Sequence, residues 1–304
     1  MRDVDAFDYF MVDEGTIFIS KSDSHPKDYL IGLPVYTPDE DGGRSFNGTS
    51  YAKTGRDGLE DFEWLEESHL SDTAANVPKD RVVEVRKPCE REDQILQRVD
   101  EDVRELYREV EQLVGGPLGV IGSHIYGLDT EESDVDIIVR GDSPEYLRNV
   151  FEDISSHPDL EPLDEEILES KSGKYSERFD ISRAEALQHL KNPERRYNHT
   201  EIDSKISFIP VQEPGTNSEY AVPEPGESSV PVEIEGEVTD DSLSFTSPRI
   251  WSLETDLGVM DVLTDRWIYA GSYETGDQVR VDAELFEDSD QLVLNEFDHD
   301  ISPV

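Results

Sequence analysis

The chain has 304 residues, of which 72 are acidic and 27 basic, so its formal net charge is −45, and only 35% of its residues are apolar. This length allows two or three small domains. No run of about 18 apolar residues is present and acids occupy the N-terminus, so we expect neither a membrane span nor a signal peptide and predict a cytoplasmic protein.

The charge has two interpretations. High charge with low hydrophobicity is typical of disordered chains, but it is also typical of halophilic proteins in molar salt, where the Debye length is about 3 Å. The acids are spread between clear strand and helix patterns, and 18 of the 27 basic residues are Arg, which favours the halophile. The single Cys89 excludes an internal disulfide and a multi-cysteine zinc site, and it is more typical of a small buried residue than of a nucleophile.

Residues 1–93 are predicted to form a β-rich module with an acidic connector, because short apolar segments alternate with turn residues. In residues 94–114 apolar side chains recur at helical spacing, and Gly115 ends this helix. A short strand at 118–121 leads into Gly122 and Ser123, where a second helix should begin. A strand at 135–139 and a helix through 146–154 follow, so residues 94–211 form an α/β module.

Proline and glycine punctuate residues 212–230, which we interpret as a linker. Residues 231–304 alternate apolar and polar side chains, which predicts a C-terminal β domain that could be a small barrel. A barrel of this kind could stack nucleic-acid bases on its aromatic residues, although such residues more often form the core. They are Phe245, Trp251, Trp267, Tyr269 and Tyr273.

Two short motifs point to chemistry in the central module. Gly122 lets backbone N–H groups approach a phosphate at a helix start, and Ser123 can cap that helix and donate a hydrogen bond. Asp134 and Asp136 lie two apart on a strand, so both carboxylates project to one face and can share divalent ions. Either motif alone is common in a chain where nearly one residue in four is acidic, and the prediction depends on their combination.

Residues 119–127 and 133–139 resemble the signature of polymerase-beta-like nucleotidyltransferases, in which a Gly-Ser opens a helix and an Asp-x-Asp flanked by apolar residues follows on the next strand. Weaker matches, such as 15–18, 36–38 and 274–279, are similar to an uncharacterised archaeal, halophilic family of predicted nucleotidyltransferases. The resemblance implies an α+β fold, with a mixed sheet and helices as its core, flanked by N-terminal and C-terminal β-rich modules.

The same resemblance implies transfer of a nucleoside monophosphate from a nucleoside triphosphate to a hydroxyl on RNA, a protein or a small molecule. Asp134 and Asp136 would hold Mg²⁺ or Mn²⁺, while Gly122 and Ser123 would hold the triphosphate. His124 is interpreted as a first-turn helix residue and Asp129 as a loop residue.

Active members of that superfamily usually add a third acid from a neighbouring strand. The matching strand here is 200–211, and Asp203 is the candidate acid on it. By its apolar flanks, however, Ser207 is the better match to the family position, and a hydroxyl cannot replace a carboxylate. The sequence therefore leaves open a rival function, in which an inactive module of this kind binds nucleotide or RNA, and a weaker one, a pure interaction protein.

A basic island interrupts the acidic chain at residues 171–205, where eight basic residues face six acids. This clustering suits an anion, first a triphosphate and then a nucleic-acid backbone, and the pair Arg195 and Arg196 is the strongest candidate. Ion pairs that support a helix are the alternative explanation.

Overall fold

The fold is that of a computed structural model of the chain. It describes residues 4–54, 59, 62–68, 70, 74–90, 95–97, 99, 101–116, 118–130, 133–179, 182–191, 196–199, 205–213, 223, 227–266, 269–286, 291–294 and 299–304. Over these ranges the chain is a mixed α+β protein built mostly of strands, which form three sheets, so the expected mixture of helices and strands is confirmed. Among the described helices none combines the length and apolar character that crossing a membrane requires.

The N-terminal sheet has eight strands. They are β1 (Tyr9–Val12), β2 (Ile17–Ser20), β3 (Tyr29–Pro38), β4 (Arg44–Phe46), β5 (Thr49–Lys53), β6 (Glu66–Glu67), β7 (Ala75–Pro78) and β8 (Val82–Arg86). The main order is β4-β5-β3-β2-β1-β8, and β7 joins both β3 and β6. The ten-residue β3 is the spine of this sheet, because it pairs with β2, β5 and β7 along its length.

The central sheet has five strands and carries the predicted motifs. They are β9 (Leu118–Ile121), β10 (Val135–Gly141), β11 (Leu160–Pro162), β12 (Arg196–His199) and β13 (Lys205–Gln212), in the order β11-β12-β13-β10-β9. In this sheet β10 runs parallel to β13 and antiparallel to β9. Its residues Ile137, Ile138 and Val139 are all buried, as expected for a strand covered on both faces.

Four helices belong to the same module among the residues that the structure describes. They are α1 (Glu101–Val114), α2 (Pro144–Ser155), α3 (Glu165–Phe179) and α4 (Arg183–Lys191). Helix α2 begins where the sequence signals it, since the Ser143 side chain accepts a hydrogen bond from the Tyr146 amide at 3.2 Å and Pro144 follows the cap. The described part of the first helix begins at Glu101, seven residues after the start that its periodicity predicts.

The C-terminal strands close into a ring. They are β14 (Val230–Leu243), β15 (Arg249–Thr255), β16 (Gly258–Thr264), β17 (Gln278–Phe286), β18 (Gln291–Val293) and β19 (Asp300–Pro303). Pairing runs β14-β15-β16-β18-β17 and returns to β14, with β16 and β18 parallel and β19 added to β17. Along β17 the buried Val279, Val281 and Ala283 alternate with exposed side chains, so one face of the strand fills the barrel.

The modules share their cores. The largest buried cluster joins Tyr9 and Tyr36 of the N-terminal sheet to Val120 and Ile137 of the central sheet. A second cluster packs Ile31, from β3, against the outer face of the barrel. Because the N-terminal sheet contacts both other modules, it lies against the strand ends where the predicted motifs are located.

Candidate functional site

Asp134 and Asp136 lie at the start of β10. Asp136 is half-buried within the strand, and Asp134 is exposed one residue before the strand begins. A reciprocal turn precedes them: the Thr130 amide donates to the Ser133 hydroxyl at 2.9 Å, and the Ser133 amide donates to the Thr130 carbonyl at 2.9 Å. The turn fixes the direction in which the chain enters β10. It leaves the Asp134 carboxylate exposed to solvent and the Asp136 carboxylate half-buried in the sheet.

The register of the sheet shows what lies beside Asp136. Its Cα partner is Ile121 on β9 and Ser207 on β13, and Ser207 is in turn the partner of Arg196 on β12. Neighbouring strands are about 4.8 Å apart, so the backbone places Arg196 roughly 10 Å from Asp136 in the same row. Ser207 therefore occupies the neighbouring-strand position where a third carboxylate would be expected.

The predicted helix at Gly122 and Ser123 is not present. The chain forms one 3₁₀ turn, Gly122–Ile125, whose first residue has φ of 76° and whose end is followed by Gly127 at φ of 66°. Two left-handed glycines five residues apart leave room for a single turn, because neither conformation continues a right-handed helix. The residue that precedes the turn, Ile121, has no side-chain cap hydrogen bond, and Ser123 is buried within the turn, so a tight 3₁₀ loop stands where a helix start was expected.

The loop and the carboxylate are adjacent. A Cβ atom built on Gly122 would lie 3.4 Å from Oδ2 of Asp136. The left-handed backbone at Gly122 thus brings the turn to the carboxylate face of β10. The two sequence motifs, with ten residues between Ser123 and Asp134, meet at one place in the fold.

Two tyrosines of the N-terminal sheet hold this loop, and the sequence did not identify them as site residues. The Gly122 amide donates to the Tyr9 hydroxyl at 2.8 Å. Ser123 is hydrogen-bonded through its side chain to Tyr36. Both tyrosine rings are buried in the shared core, and the charge of Asp136 acts on both hydroxyls. The amide and the hydroxyl expected to bind phosphate are therefore engaged by tyrosines.

The tyrosine hydroxyls are neutral. Burial raises the pKa of Tyr9, and the nearby charge of Asp136 raises it further, against the hydrogen bond from Gly122. Burial likewise raises the pKa of Tyr36, opposed by Arg44 and by the hydrogen bond with Ser123. Each hydroxyl keeps its proton at neutral pH and can still donate it to an oxygen acceptor.

Two arginines of the N-terminal sheet fix the far side of the turn. Arg86 donates from Nη1 to the Ile125 carbonyl at 2.9 Å, and its guanidinium lies 3.9 Å from the centre of the Tyr126 ring. Arg44 donates from Nη1 to the Leu128 carbonyl. Such charge-assisted and cation–π contacts stabilise buried loops. Arginines and tyrosines of the N-terminal sheet thus hold the segment that begins with the 3₁₀ turn.

His124 and Asp129 belong to the same loop. His124 is 6% exposed, and its Nδ1 is 3.7 Å from Oδ1 of Asp129, longer than a hydrogen bond. Among the described residues neither ring nitrogen of His124 has a hydrogen-bond partner. His124 is therefore a buried residue of the 3₁₀ turn, and Asp129 is a loop residue as expected.

The structure describes little or nothing of three predicted site residues. Asp203 and Arg195 lie outside the described residues, and only the backbone of Arg196 is described. Elsewhere in the basic island, Arg183 donates from Nη2 to the Glu169 carbonyl at 2.8 Å, which is the helix-supporting role that the alternative explanation requires.

A second group of possible metal ligands lies away from this loop. Within the described ranges, Glu109, His157 and Asp159 bring their ligand atoms within 4.8 Å of one another. The Asp159 amide donates to Nδ1 of His157 at 3.3 Å, so the ring proton is on Nε2, which lies 3.3 Å from Oε2 of Glu109. A metal ion at Nε2 would have to displace that proton, and we assign none there.

The aromatic residues of the barrel are structural. Phe245, Trp251, Tyr269 and Tyr273 are buried, and the Trp251 indole donates to the Tyr273 carbonyl at 3.3 Å. Trp267 lies outside the described residues. The rings that the structure describes here are therefore enclosed in the fold and closed to bases.

Comparison with known proteins adds no relative. No family model matches the chain, and no curated protein and no solved structure matches it.

Proposed function

We propose that the chain is a metal-dependent nucleotidyltransferase of the polymerase-beta-like kind, which moves a nucleoside monophosphate from a nucleoside triphosphate to a hydroxyl acceptor. The observation that carries the proposal is the meeting of Asp136 with the left-handed turn at Gly122, at a separation of 3.4 Å from a built Cβ atom. A glycine turn beside a pair of carboxylates is the minimum that such chemistry needs.

The donor set fits a hard divalent cation. Asp134 is exposed and Asp136 half-buried, so both carboxylates can accept Mg²⁺ or Mn²⁺ that arrives with a triphosphate. When bound, such an ion neutralises phosphate charge and favours attack on the α-phosphorus. Arg195 and Arg196 are the cations that we assign to the phosphate oxygens, since the backbone of Arg196 lies in the Asp136 row.

The reaction that this site would support is an in-line displacement. The oxygen of the acceptor hydroxyl bonds to the α-phosphorus, the bond from that phosphorus to the bridging oxygen breaks, and pyrophosphate leaves. The hydroxyl proton passes to a solvent or carboxylate base. Gly122 and Ser123 shape the loop on which the phosphates rest, because their own donors are held by tyrosines.

The barrel disfavours RNA as an acceptor on its own outer face. Glu233, Glu235 and Glu237 are exposed along β14, and at low salt they would repel a polyanion. The basic island is therefore the better surface for an RNA acceptor. A protein or a small molecule with a free hydroxyl is compatible with either surface.

A second candidate function is a binding module that holds nucleotide or RNA without turnover. The observation that favours it is Ser207, which is the neighbouring-strand partner of Asp136. A hydroxyl there supplies no charge, and two carboxylates alone hold two metals poorly. Nucleotide binding does not require a third carboxylate, whereas catalysis would depend on Asp203 or on Asp134 and Asp136 alone.

The test is nucleotide transfer with radiolabelled triphosphates, Mg²⁺ or Mn²⁺, and cellular RNA or protein in molar KCl. Asp136→Asn should abolish transfer while leaving the thermal midpoint nearly unchanged. Asp142→Asn, an exposed acid just beyond the other end of β10, is the matched control and should transfer as well as the wild type. Equal rates in Asp136→Asn and the wild type would refute the proposal.

A further inference from the structure

The Gly122 backbone lies beside both Tyr9 and Asp136. Its amide donates to the Tyr9 hydroxyl at 2.8 Å, and a Cβ atom built on the same residue would lie 3.4 Å from Oδ2 of Asp136. An N–H without a partner is costly, so without the Tyr9 hydroxyl the turn would shift to bring the amide to another acceptor. Such a shift would change the position of the loop relative to the Asp136 carboxylate.

The Ser123 side chain is also held by a tyrosine. Its hydroxyl is buried and bonded to Tyr36, which belongs to the ten-residue strand β3. This bond selects one rotamer of Ser123 in a turn that has no side-chain cap of its own. Without it the hydroxyl is free to bond to local backbone groups, as serine does in turns.

We propose that Tyr9 and Tyr36 are positioning residues of the nucleotide site, so that the N-terminal β module completes a site whose carboxylates come from the central sheet. Each tyrosine acts through the loop: Tyr9 holds the Gly122 amide, and with it the backbone beside Asp136, and Tyr36 holds the Ser123 side chain. The inference rests on the proposed nucleotide binding and extends it to residues more than eighty positions away in the chain. The N-terminal β-rich module is then part of the functional unit.

The chain offers a matched control for the loss of a buried tyrosine hydroxyl. Tyr51 belongs to the same buried cluster as Tyr9 and Tyr36, and its hydroxyl donates to the Gly15 carbonyl at 3.3 Å, with no bond to the loop. Tyr→Phe at any of the three keeps the ring and removes one hydrogen bond. Because the thermal midpoint and the nucleotide affinity are both measured for each variant, an effect on the site is separated from a general loss of stability.

The experiment measures the affinity of the full chain for ATP, GTP, CTP and UTP with Mg²⁺ in molar KCl by calorimetric titration, together with thermal midpoints without nucleotide. Tyr9→Phe and Tyr36→Phe should each weaken binding of the preferred nucleotide roughly fivefold to tenfold, the size expected of one misplaced hydrogen-bonded group. Tyr51→Phe should bind as the wild type does.

Unchanged or tighter binding in both Tyr9→Phe and Tyr36→Phe would overturn the inference, and so would equal weakening in Tyr51→Phe. Wild-type binding that is lost in Asp136→Asn but unaffected by the tyrosine variants would overturn the inference alone. No binding of any of the four nucleotides by the wild type would overturn it together with the proposed function. If one tyrosine variant fails to fold, the other carries the test.

Discussion

Replacing Gly122 with alanine adds one methyl group at the point where the turn meets Asp136. The residue has φ of 76°, in the left-handed region, and the added Cβ atom would lie 3.4 Å from Oδ2 of Asp136. That distance is an ordinary van der Waals contact and not a clash. The cost to stability therefore comes from the backbone conformation, and the effect on the site comes from the contact.

The cost of the left-handed backbone can be calculated, and a second glycine provides a control with the same cost. A left-handed conformation costs an L-residue with a Cβ atom about 1–2 kcal/mol. With an unfolding entropy of about 2.1 cal/mol/K per residue, this lowers the thermal midpoint of a chain of this length by roughly 2–3 °C. Gly115 has φ of 65° and open space around its Cβ position, so Gly115→Ala carries the same backbone cost without touching Asp136.

The assay compares the two variants in molar KCl. Both should lose about 2–3 °C in thermal midpoint. Only Gly122→Ala should weaken binding of Mg²⁺ with nucleoside triphosphate, by about tenfold or 1.4 kcal/mol, because its methyl covers the carboxylate. Equal nucleotide affinity in both variants would refute the placement of the site at this turn.

Three further predictions concern charge. Burial raises the pKa of Asp8 to about 7 and that of Asp23 to about 6. Both acids therefore favour the folded state when they are protonated, which is fully the case below about pH 4, and this stability is lost as the pH rises toward 7. In denaturant titrations at pH 4 and 7, Asp8→Asn should reduce this loss in the free energy of unfolding by up to about 4 kcal/mol. An unchanged difference in stability between the two pH values would contradict the raised pKa of Asp8. Lowering the salt from molar to about 0.1 M lengthens the Debye length to about 10 Å and should lower the thermal midpoint, whereas a midpoint indifferent to salt would contradict the halophile interpretation. Replacing Arg195 and Arg196 with Ala should weaken triphosphate binding more than stability, and a lower melting temperature with unchanged affinity would favour helix-supporting ion pairs.

Local patterns in the sequence were sufficient for the strand at the carboxylates and for the helix that follows it. The apolar run of β10 and the Ser143–Pro144 signal before α2 are short-range features, and the structure has both. Gly122 was chosen because glycine lets backbone N–H groups approach a phosphate, and the structure shows that it also provides a left-handed turn, with φ of 76°. The expected helix after it failed because a second glycine, Gly127, also adopts a left-handed conformation, which a sequence pattern does not reveal.

The residues that hold the loop could not be found from local patterns. Tyr9 is 113 positions from Gly122, and its hydrogen bond exists only because the N-terminal sheet packs on the central one. Tyr36 lies in a segment that weakly matched the family resemblance, which was the one available signal. Likewise, the pairing of Ser207 with Asp136 depends on strand register, which is set by packing across the whole sheet.

The most direct measurement of the central claim is Mn²⁺ binding in the presence of nucleoside triphosphate, followed by electron paramagnetic resonance in molar KCl. The molar salt screens the general attraction of a chain with a net charge of −45. The site at Asp134 and Asp136 predicts nucleotide-dependent Mn²⁺ binding in the wild type and in Asp142→Asn, and its loss in Asp136→Asn. Equal Mn²⁺ binding in all three proteins, with or without nucleotide, would contradict the assignment of the site.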